Sequence, residues 1–142
     1  MSTRSFIGHL NDDGTVTSVY CHSDGYPSWT GAKLLTHWND SEAAVLLVSG
    51  GDMSQLGDDF ESTIFYGRDR GIFDVGHLDC PSEYYVEDAK ESGAEYIYLH
   101  TPEGWKMYED GTETFQPLTK FVKLTPVQAA ERNADRQLSL PF

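Results

Sequence analysis

The stretch RSFIGHLNDDGTVTSVYCH, residues 4–22, places two β-prone runs on either side of the tetrapeptide NDDG. Asparagine and aspartate favour turns, and Gly14 tolerates the positive φ that a tight turn requires. Phe6, Val16 and Val19 supply apolar side chains on both runs, as expected for strands that face a core. The stretch therefore predicts an opening β-hairpin, around which the remaining elements can be placed.

A second hairpin is predicted near the other end of the chain. Aromatic-rich runs at 95–100 and 105–109 flank the turn sequence TPEG. Helical patterns lie between the hairpins, at 28–38, 41–48 and 81–91. Strands at both ends with helices between them predict an α+β fold, in which an antiparallel β-sheet built from hairpins has helices packed on one face.

The C-terminal region predicts one more helix and then an extended tail. Thr125 can cap the helix and Pro126 suits its first turn, so the helix is placed at 125–136. The chain of 142 residues is 39% hydrophobic, which is enough for one core. We therefore expect a compact α+β domain at 1–124, a C-terminal helix and a peptide tail at 137–142.

The charge balance is strongly acidic, with 23 Asp and Glu residues against 10 Lys and Arg, for a net charge of −13. Phosphate backbones repel such a surface, so direct nucleic-acid binding is disfavoured. The longest apolar run, 43–48, is far shorter than a membrane span. The first residues lack the apolar segment of a signal peptide, and we expect a cytoplasmic protein. The composition leaves the oligomeric state open.

The cysteines do not indicate a metal site or a cofactor. Cys21 and His22 are adjacent on a predicted strand, so their side chains point to opposite faces. His77 and Cys80 lack the usual spacing of zinc ligands as well. The sequence also contains no P-loop, nucleophile elbow, metalloprotease motif or dinucleotide fingerprint, and it predicts a protein that is not an enzyme.

His22, Asp24 and Tyr26 belong to the segment YCHSDGYP, which begins where a predicted strand ends. Functional groups often lie at such positions, and His22 with Asp24 can form an orienting pair or part of a ligand loop. The alternative is structural: Asp24 bonds to its own loop and Gly25 permits the turn. The structural alternative is favoured.

Arg68, Asp69 and Arg70 lie between two glycines in YGRDRG. Two guanidinium groups on a short loop can hold a phosphate or a carboxylate. The alternative is a charged turn in which the arginines pair with the surplus acidic residues. This second interpretation is again favoured.

The last residues, QLSLPF, have the character of a short docking peptide. Gln137 offers an amide, and Leu138, Leu140 and Phe142 offer apolar anchors. Pro141 biases the residue before it toward extended geometry and so lowers the entropy cost of binding. An internal alternative is that these side chains join the protein's own core as a final strand.

This run resembles the clamp-binding motif of bacterial replication and repair proteins, which reads Gln-Leu-x-Leu-x-Leu/Phe. Translesion polymerases and a clamp-dependent regulator of replication initiation carry such runs. The resemblance implies that Gln137 is the polar anchor, Leu138 a supporting contact, and Leu140 and Phe142 the side chains that fill the clamp's hydrophobic pocket. It covers six residues.

The body resembles a family of small bacterial and phage proteins without an assigned activity. The matching stretches include YCHSDGYP, GDMSQLG, YGRDRG and AEYIYL, spread over residues 2–108. Ser23 departs from the pattern, which has Trp between the His and the Asp. The resemblance implies a phage or mobile-element context.

Three hypotheses follow from the sequence. The leading one is a phage or mobile-element protein that binds the host sliding clamp, the β subunit of the DNA polymerase, through its tail, either to hinder replication or to ride on the clamp. The rival is an acidic anti-defence decoy that blocks a host DNA-binding or immune protein through its body. A third, an enzyme acting through His22, Asp24, Arg68 and Arg70, predicts one pocket that joins these residues.

Overall fold

The computed structural model describes residues 3–72 and 78–138. In this part of the chain eight strands form one sheet with the order β4-β3-β2-β1-β6-β7-β8, and β5 pairs with β2 beside that path. The strands are β1 (Ser5–Leu10), β2 (Thr15–Cys21), β3 (Met53–Gln55), β4 (Ile64–Phe65), β5 (Leu78–Pro81), β6 (Tyr96–Thr101), β7 (Gly104–Glu109) and β8 (Thr114–Pro117).

Both predicted hairpins are confirmed. β1 pairs antiparallel with β2 from Ser5↔Cys21 to Leu10↔Val16, and β6 pairs antiparallel with β7. The α+β class is confirmed as well, but the sheet is mixed rather than purely antiparallel. β1 lies parallel to β6 and β2 lies parallel to β3, so the two hairpins join edge to edge along β1 and β6.

The helices lie between and after the hairpins. A π-helical turn, Pro27–Gly31, continues directly into α1. The Asp40 carboxylate caps α2 by accepting a hydrogen bond from the Ala43 amide at 2.7 Å. The helices are α1 (Ala32–His37), α2 (Ser41–Ser49), α3 (Tyr66–Arg70), α4 (Tyr85–Glu91) and α5 (Pro126–Leu138).

Helices cover both faces of the sheet, whereas the sequence predicted one covered face. Ile7 packs in a cluster with side chains of α1 and α2. Its neighbour Phe6 points to the other face and packs with Tyr85 and Ala89 of α4. Alternation along β1 therefore supplies an apolar side chain to each face. The sequence of residues 4–10 already indicated two buried faces, because Phe6 and Ile7 are consecutive and both apolar.

The α4 face has a close contact that requires glycine. A Cβ atom on Gly8 would lie 2.8 Å from the Tyr85 hydroxyl. That hydroxyl is fully buried and donates a hydrogen bond to the Tyr98 carbonyl at 2.6 Å. The missing side chain on β1 thus leaves room for the aromatic ring that fixes α4 to the sheet.

The C-terminal helix begins where the sequence predicts. The Gln128 amide donates to the Thr125 hydroxyl, and the Gln128 side chain accepts from the Thr125 amide at 3.0 Å, which forms a reciprocal cap. The helix was expected to end at 136 but continues through Leu138. α5 packs along α1, with the His37 imidazole 3.3 Å from the Glu131 carboxylate.

Candidate functional site

The segment at His22, Asp24 and Tyr26 is held by local contacts. The His22 ring bonds to the Tyr20 hydroxyl at 2.6 Å, and the Asp24 carboxylate accepts a hydrogen bond from the Gln55 amide. Partial burial, and then the nearby Asp24 carboxylate, raise the pKa of the Tyr26 phenol. His22 thus bonds to the preceding strand β2 and Asp24 to the adjacent strand β3, whereas the structural alternative expected Asp24 to bond within its own loop.

The residue that turns the chain here is Asp24 rather than Gly25. Asp24 has a φ of 55°, a left-handed conformation that aspartate tolerates better than most residues. Gly25 is required for a different reason, since a Cβ atom there would lie 2.7 Å from Ser5. The Tyr98 hydroxyl donates to the Gly25 carbonyl at 2.7 Å, which ties the loop to β6.

Arg68 and Asp69 form a closed charged cluster at α3. The guanidinium donates to Asp69 and to the carbonyls of Phe60, Glu61 and Thr63. Asp69 also accepts from the Phe65 amide, and the bond from Arg68 is the main reason that the pKa of this carboxyl is lowered. In the described contacts, Arg68 and Asp69 therefore hold the 60–65 loop in place and are not open to a ligand.

Arg70 lies over an aromatic ring, and its charge also contributes to the lowered pKa of Asp69. Its guanidinium lies 5.7 Å from the centroid of the Tyr66 ring. A polar cleft described below is lined by neither Arg68 nor Arg70, and by neither His22 nor Asp24. That cleft is therefore not the joint pocket that the enzyme hypothesis requires.

The two cysteines are buried on opposite faces of the sheet. Cys21 belongs to the cluster beneath α1 and α2, and Cys80 to the cluster beneath α4. Burial raises the pKa of the Cys21 thiol to about 11, so this thiol is protonated at neutral pH. Within residues 3–72 and 78–138 no group of His, Cys, Asp and Glu is arranged to hold a metal ion. His77 lies outside the described residues.

The tail falls mostly outside the described part of the chain. Gln137 and Leu138 are the last two residues of α5. Leu140, Pro141 and Phe142 lie outside the described residues. The described chain has no helix that is both long enough and apolar enough to cross a membrane.

A polar cleft of about 550 Å³ lies where the parallel strands β1 and β6 end. His9 and Leu10 come from the end of β1, and His100 and Thr101 from the end of β6. The carboxyl ends of adjacent parallel strands meet at one edge of a sheet, which is a common location for ligand sites. The remaining walls are the start of α2, the turn between β6 and β7, and Arg132 of α5.

His9 and His100 form the floor of this cleft. They are partners in the parallel pairing, and their rings stack at 5.3 Å with an interplanar angle of 21°. The Trp105 ring meets His100 edge-on at 5.1 Å. His100 is only 4% exposed, and the Nδ1 atoms of both histidines are buried without a hydrogen-bond partner among the described residues.

Burial lowers the pKa of both histidines. For His9 the nearby Asp12 carboxylate opposes the shift, and for His100 the neighbouring His9 adds to it while Asp40 opposes it. Both rings are therefore neutral at pH 7. A neutral imidazole offers one N–H donor and one lone pair, so the floor of the cleft can both donate and accept hydrogen bonds.

The sequence analysis missed this cleft. His9 lies inside a predicted strand and His100 at the end of another, with no motif around either residue. They meet only because the two hairpins join in parallel, a pairing between residues 91 positions apart. The available signal was that each predicted strand carries a histidine close to its C-terminal end.

The comparisons with known proteins identify no relative. No family model matches the chain, and neither the curated proteins nor the solved structures contain a significant match. The two resemblances drawn from the sequence therefore stay predictions.

Proposed function

We propose that this chain is a non-enzymatic phage or mobile-element accessory protein that binds the sliding clamp of its bacterial host through residues 137–142. The observation that carries the proposal is the run QLSLPF, which fits the clamp-binding pattern at every fixed position. Bound in the cytoplasm of the host, the protein modulates replication or is recruited to it.

The chemistry of the run supports docking in a hydrophobic pocket. Leu140 and Phe142 are two residues apart, so an extended backbone places them on the same side. Gln137 can exchange hydrogen bonds with backbone groups at the rim of the pocket. The proline between the two apolar residues restricts the free peptide and reduces the entropy lost on binding.

The attachment of α5 to the body also supports the proposal. The helix starts with the reciprocal cap between Thr125 and Gln128, and its middle contacts α1 through Glu131 and His37. These contacts all lie before the motif. The body can therefore hold α5 while residues 137–142 bind a partner.

Docking in an extended form requires a small rearrangement. Gln137 and Leu138 are helical, so the last turn of α5 must unwind when the peptide enters the pocket. The cost is small, because terminal turns of helices fray easily and the residue before Pro141 already disfavours helix.

A deletion tests the proposal. Clamp immobilised on a sensor surface should retain the full chain, and removal of residues 137–142 should abolish the signal while the circular dichroism spectrum stays that of a folded α+β protein. Val127→Ala is the matched control, because Val127 is a 66% exposed apolar residue of α5 outside the motif. Equal retention of the truncated and full-length chains would contradict the proposal.

The acid excess favours a second candidate, an anti-defence decoy that blocks a basic DNA-binding or immune protein of the host. Exposed carboxylates such as Asp58, Asp110 and Glu103 contribute to a net charge of −13. Such a surface attracts basic proteins electrostatically. In a pull-down from host lysate, a basic partner retained by the tail-less chain and lost in high salt would support this candidate over clamp binding.

A further inference from the structure

The cleft at the ends of β1 and β6 has the dimensions of a small-ligand site. Its volume of about 550 Å³ falls in the range that small-molecule pockets occupy. Its walls come from several elements that the fold brings together, and its floor is the stacked pair of His9 and His100.

The floor contains polar groups that the described residues do not satisfy. His100 is 4% exposed, and its Nδ1 atom has no described hydrogen-bond partner; the same holds for Nδ1 of His9. Buried polar atoms are nearly always hydrogen-bonded in native proteins. Both histidines line the cleft, so a polar group bound there meets their rings, although the two Nδ1 atoms themselves are shielded from solvent.

The fixed charges of the cleft select the sign of that group. The lining contains the guanidinium of Arg132 and three carboxylates, those of Asp12, Asp40 and Glu103. Lys106 approaches Glu103 at 3.5 Å and Asp40 caps α2, which leaves Asp12, close to the His9 ring, as the carboxylate most available to a cation. The net charge of the whole chain has the same sign as that of the cleft. Both the cleft and the whole chain therefore repel an anion and attract a cation.

We propose that this cleft binds an organic cation, an ammonium or guanidinium group, between Asp12 and the neutral rings of His9 and His100. Such groups carry several N–H donors, which carboxylate oxygens and imidazole lone pairs can accept. An organic cation fits better than a metal ion, because the described residues offer no set of three metal ligands.

Binding should weaken in acid, since protonated imidazoles have no lone pair and repel a cation. The other titratable and charged groups that line the cleft come from five places: Asp12 in the β1–β2 turn, His37 of α1, Asp40 before α2, Glu103 in the β6–β7 turn and Arg132 of α5.

The test is an NMR titration of the full chain, ¹⁵N-labelled at histidine, with agmatine as the cationic probe and inorganic phosphate as the anionic one. We expect agmatine to shift the imidazole signals of His9 and His100 in a saturable way, and phosphate to leave them in place. Asp12 is exposed, so Asp12→Asn should fold normally and weaken agmatine binding about fivefold, the size of one partly exposed charge pair.

Glu87→Gln is the matched control. It removes the same single charge from an exposed position on α4, on the other face of the sheet. We expect it to change agmatine binding by less than about twofold, because exposed charges beyond a Debye length are largely screened. Equal weakening by both variants, binding of phosphate instead of agmatine, or no saturable shift would each overturn the proposal.

A second arm identifies the source of the cation. The capped peptide acetyl-Gly-Arg-Gly-amide is titrated under the same conditions as agmatine. Tighter binding of the peptide assigns the cleft to an arginine side chain of a partner protein. Tighter binding of agmatine assigns it to a free amine, and both results support the cation site.

Discussion

The loop around Arg68 and the cleft around His100 both concentrate polar side chains, but they differ in whether those groups already have partners. Arg68 donates to Asp69 and to the carbonyls of Phe60, Glu61 and Thr63. His100 is buried, and its Nδ1 atom has no described partner.

This difference separates a structural cluster from a candidate ligand site. A guanidinium that is fully engaged by backbone carbonyls holds a loop in place and has little capacity left for a ligand. A buried imidazole nitrogen without a partner costs free energy in the empty protein. The cleft therefore retains polar capacity that is not used within the described chain, whereas the polar groups of the loop are already paired.

The largest expected effect concerns the support beneath the cleft. Trp105 is 4% exposed, packs against His100 and donates to the Trp38 carbonyl at 2.6 Å. Trp105→Ala should lower the free energy of unfolding by about 3–5 kcal/mol, as large-to-small changes in a core do. Chemical denaturation measures it. Tyr84→Ala, at a half-exposed aromatic, is the control and should cost less than about 1 kcal/mol.

A pH titration of stability sharpens the comparison. Burial lowers the pKa of His9 and His100 below the ordinary value of 6.5, so the unfolded chain binds more protons than the folded chain below that pH. Stability should therefore fall as the pH drops below 6.5. Urea denaturation between pH 7 and pH 5 measures the slope, and His9→Gln should reduce it. Stability that stays flat or rises on acidification would refute the assignment.

The Arg68 loop should respond in a different pH range. The bond from Arg68 lowers the pKa of Asp69 below its ordinary value of 3.8. The resulting stability is present above 3.8 and is lost as the pH falls through the lowered value. Asp69→Asn should therefore make the free energy of unfolding less sensitive to pH below pH 4. Its slope against pH near pH 6 should stay unchanged.

A smaller effect is expected from replacing the guanidinium itself. Arg68→Lys keeps the charge but cannot reach Asp69 and three carbonyls at once, because an ammonium lacks the planar fork. Both Arg68→Lys and Arg68→Ala should lower the melting temperature, with Ala lower than Lys, and neither should change agmatine binding in the cleft. Loss of agmatine binding in either variant would remove the distinction between the two regions.

The sequence predicted the local elements well, because their signals are local. The NDDG turn, the helix predicted at 41–48 and the Thr125 cap each depend on residues a few positions apart, and the structure confirms all three elements. The parallel pairing of β1 with β6 and the placement of α4 on the second face depend on contacts between distant residues. No short window of sequence contains those contacts.

The candidate sites show the same limit. Arg68 and Asp69 stand out in sequence because charges lie between glycines, yet the structure engages them with their own loop. His9 and His100 have no surrounding motif, yet tertiary pairing stacks them in a cleft. The composition of a segment indicates which groups are present, whereas only the fold decides which of them lack partners.

The smallest effect on stability is expected from the tail. A docking peptide does not belong to the protein's own core. If residues 137–142 serve that role, their removal should change the free energy of unfolding by less than about 0.5 kcal/mol, as substitutions at uninvolved surface positions do. Chemical denaturation of the truncated chain measures this, and a loss of several kcal/mol would place the tail in the core.

Clamp binding is tested most directly by calorimetric titration of purified bacterial sliding clamp with the full chain and with the double variant Leu140→Ala/Phe142→Ala. We predict saturable heat for the full chain and none for the double variant, because the two apolar anchors supply most of the buried surface. Binding of equal strength by both proteins, or no binding by either, would contradict the assignment of residues 137–142 as the clamp-binding peptide.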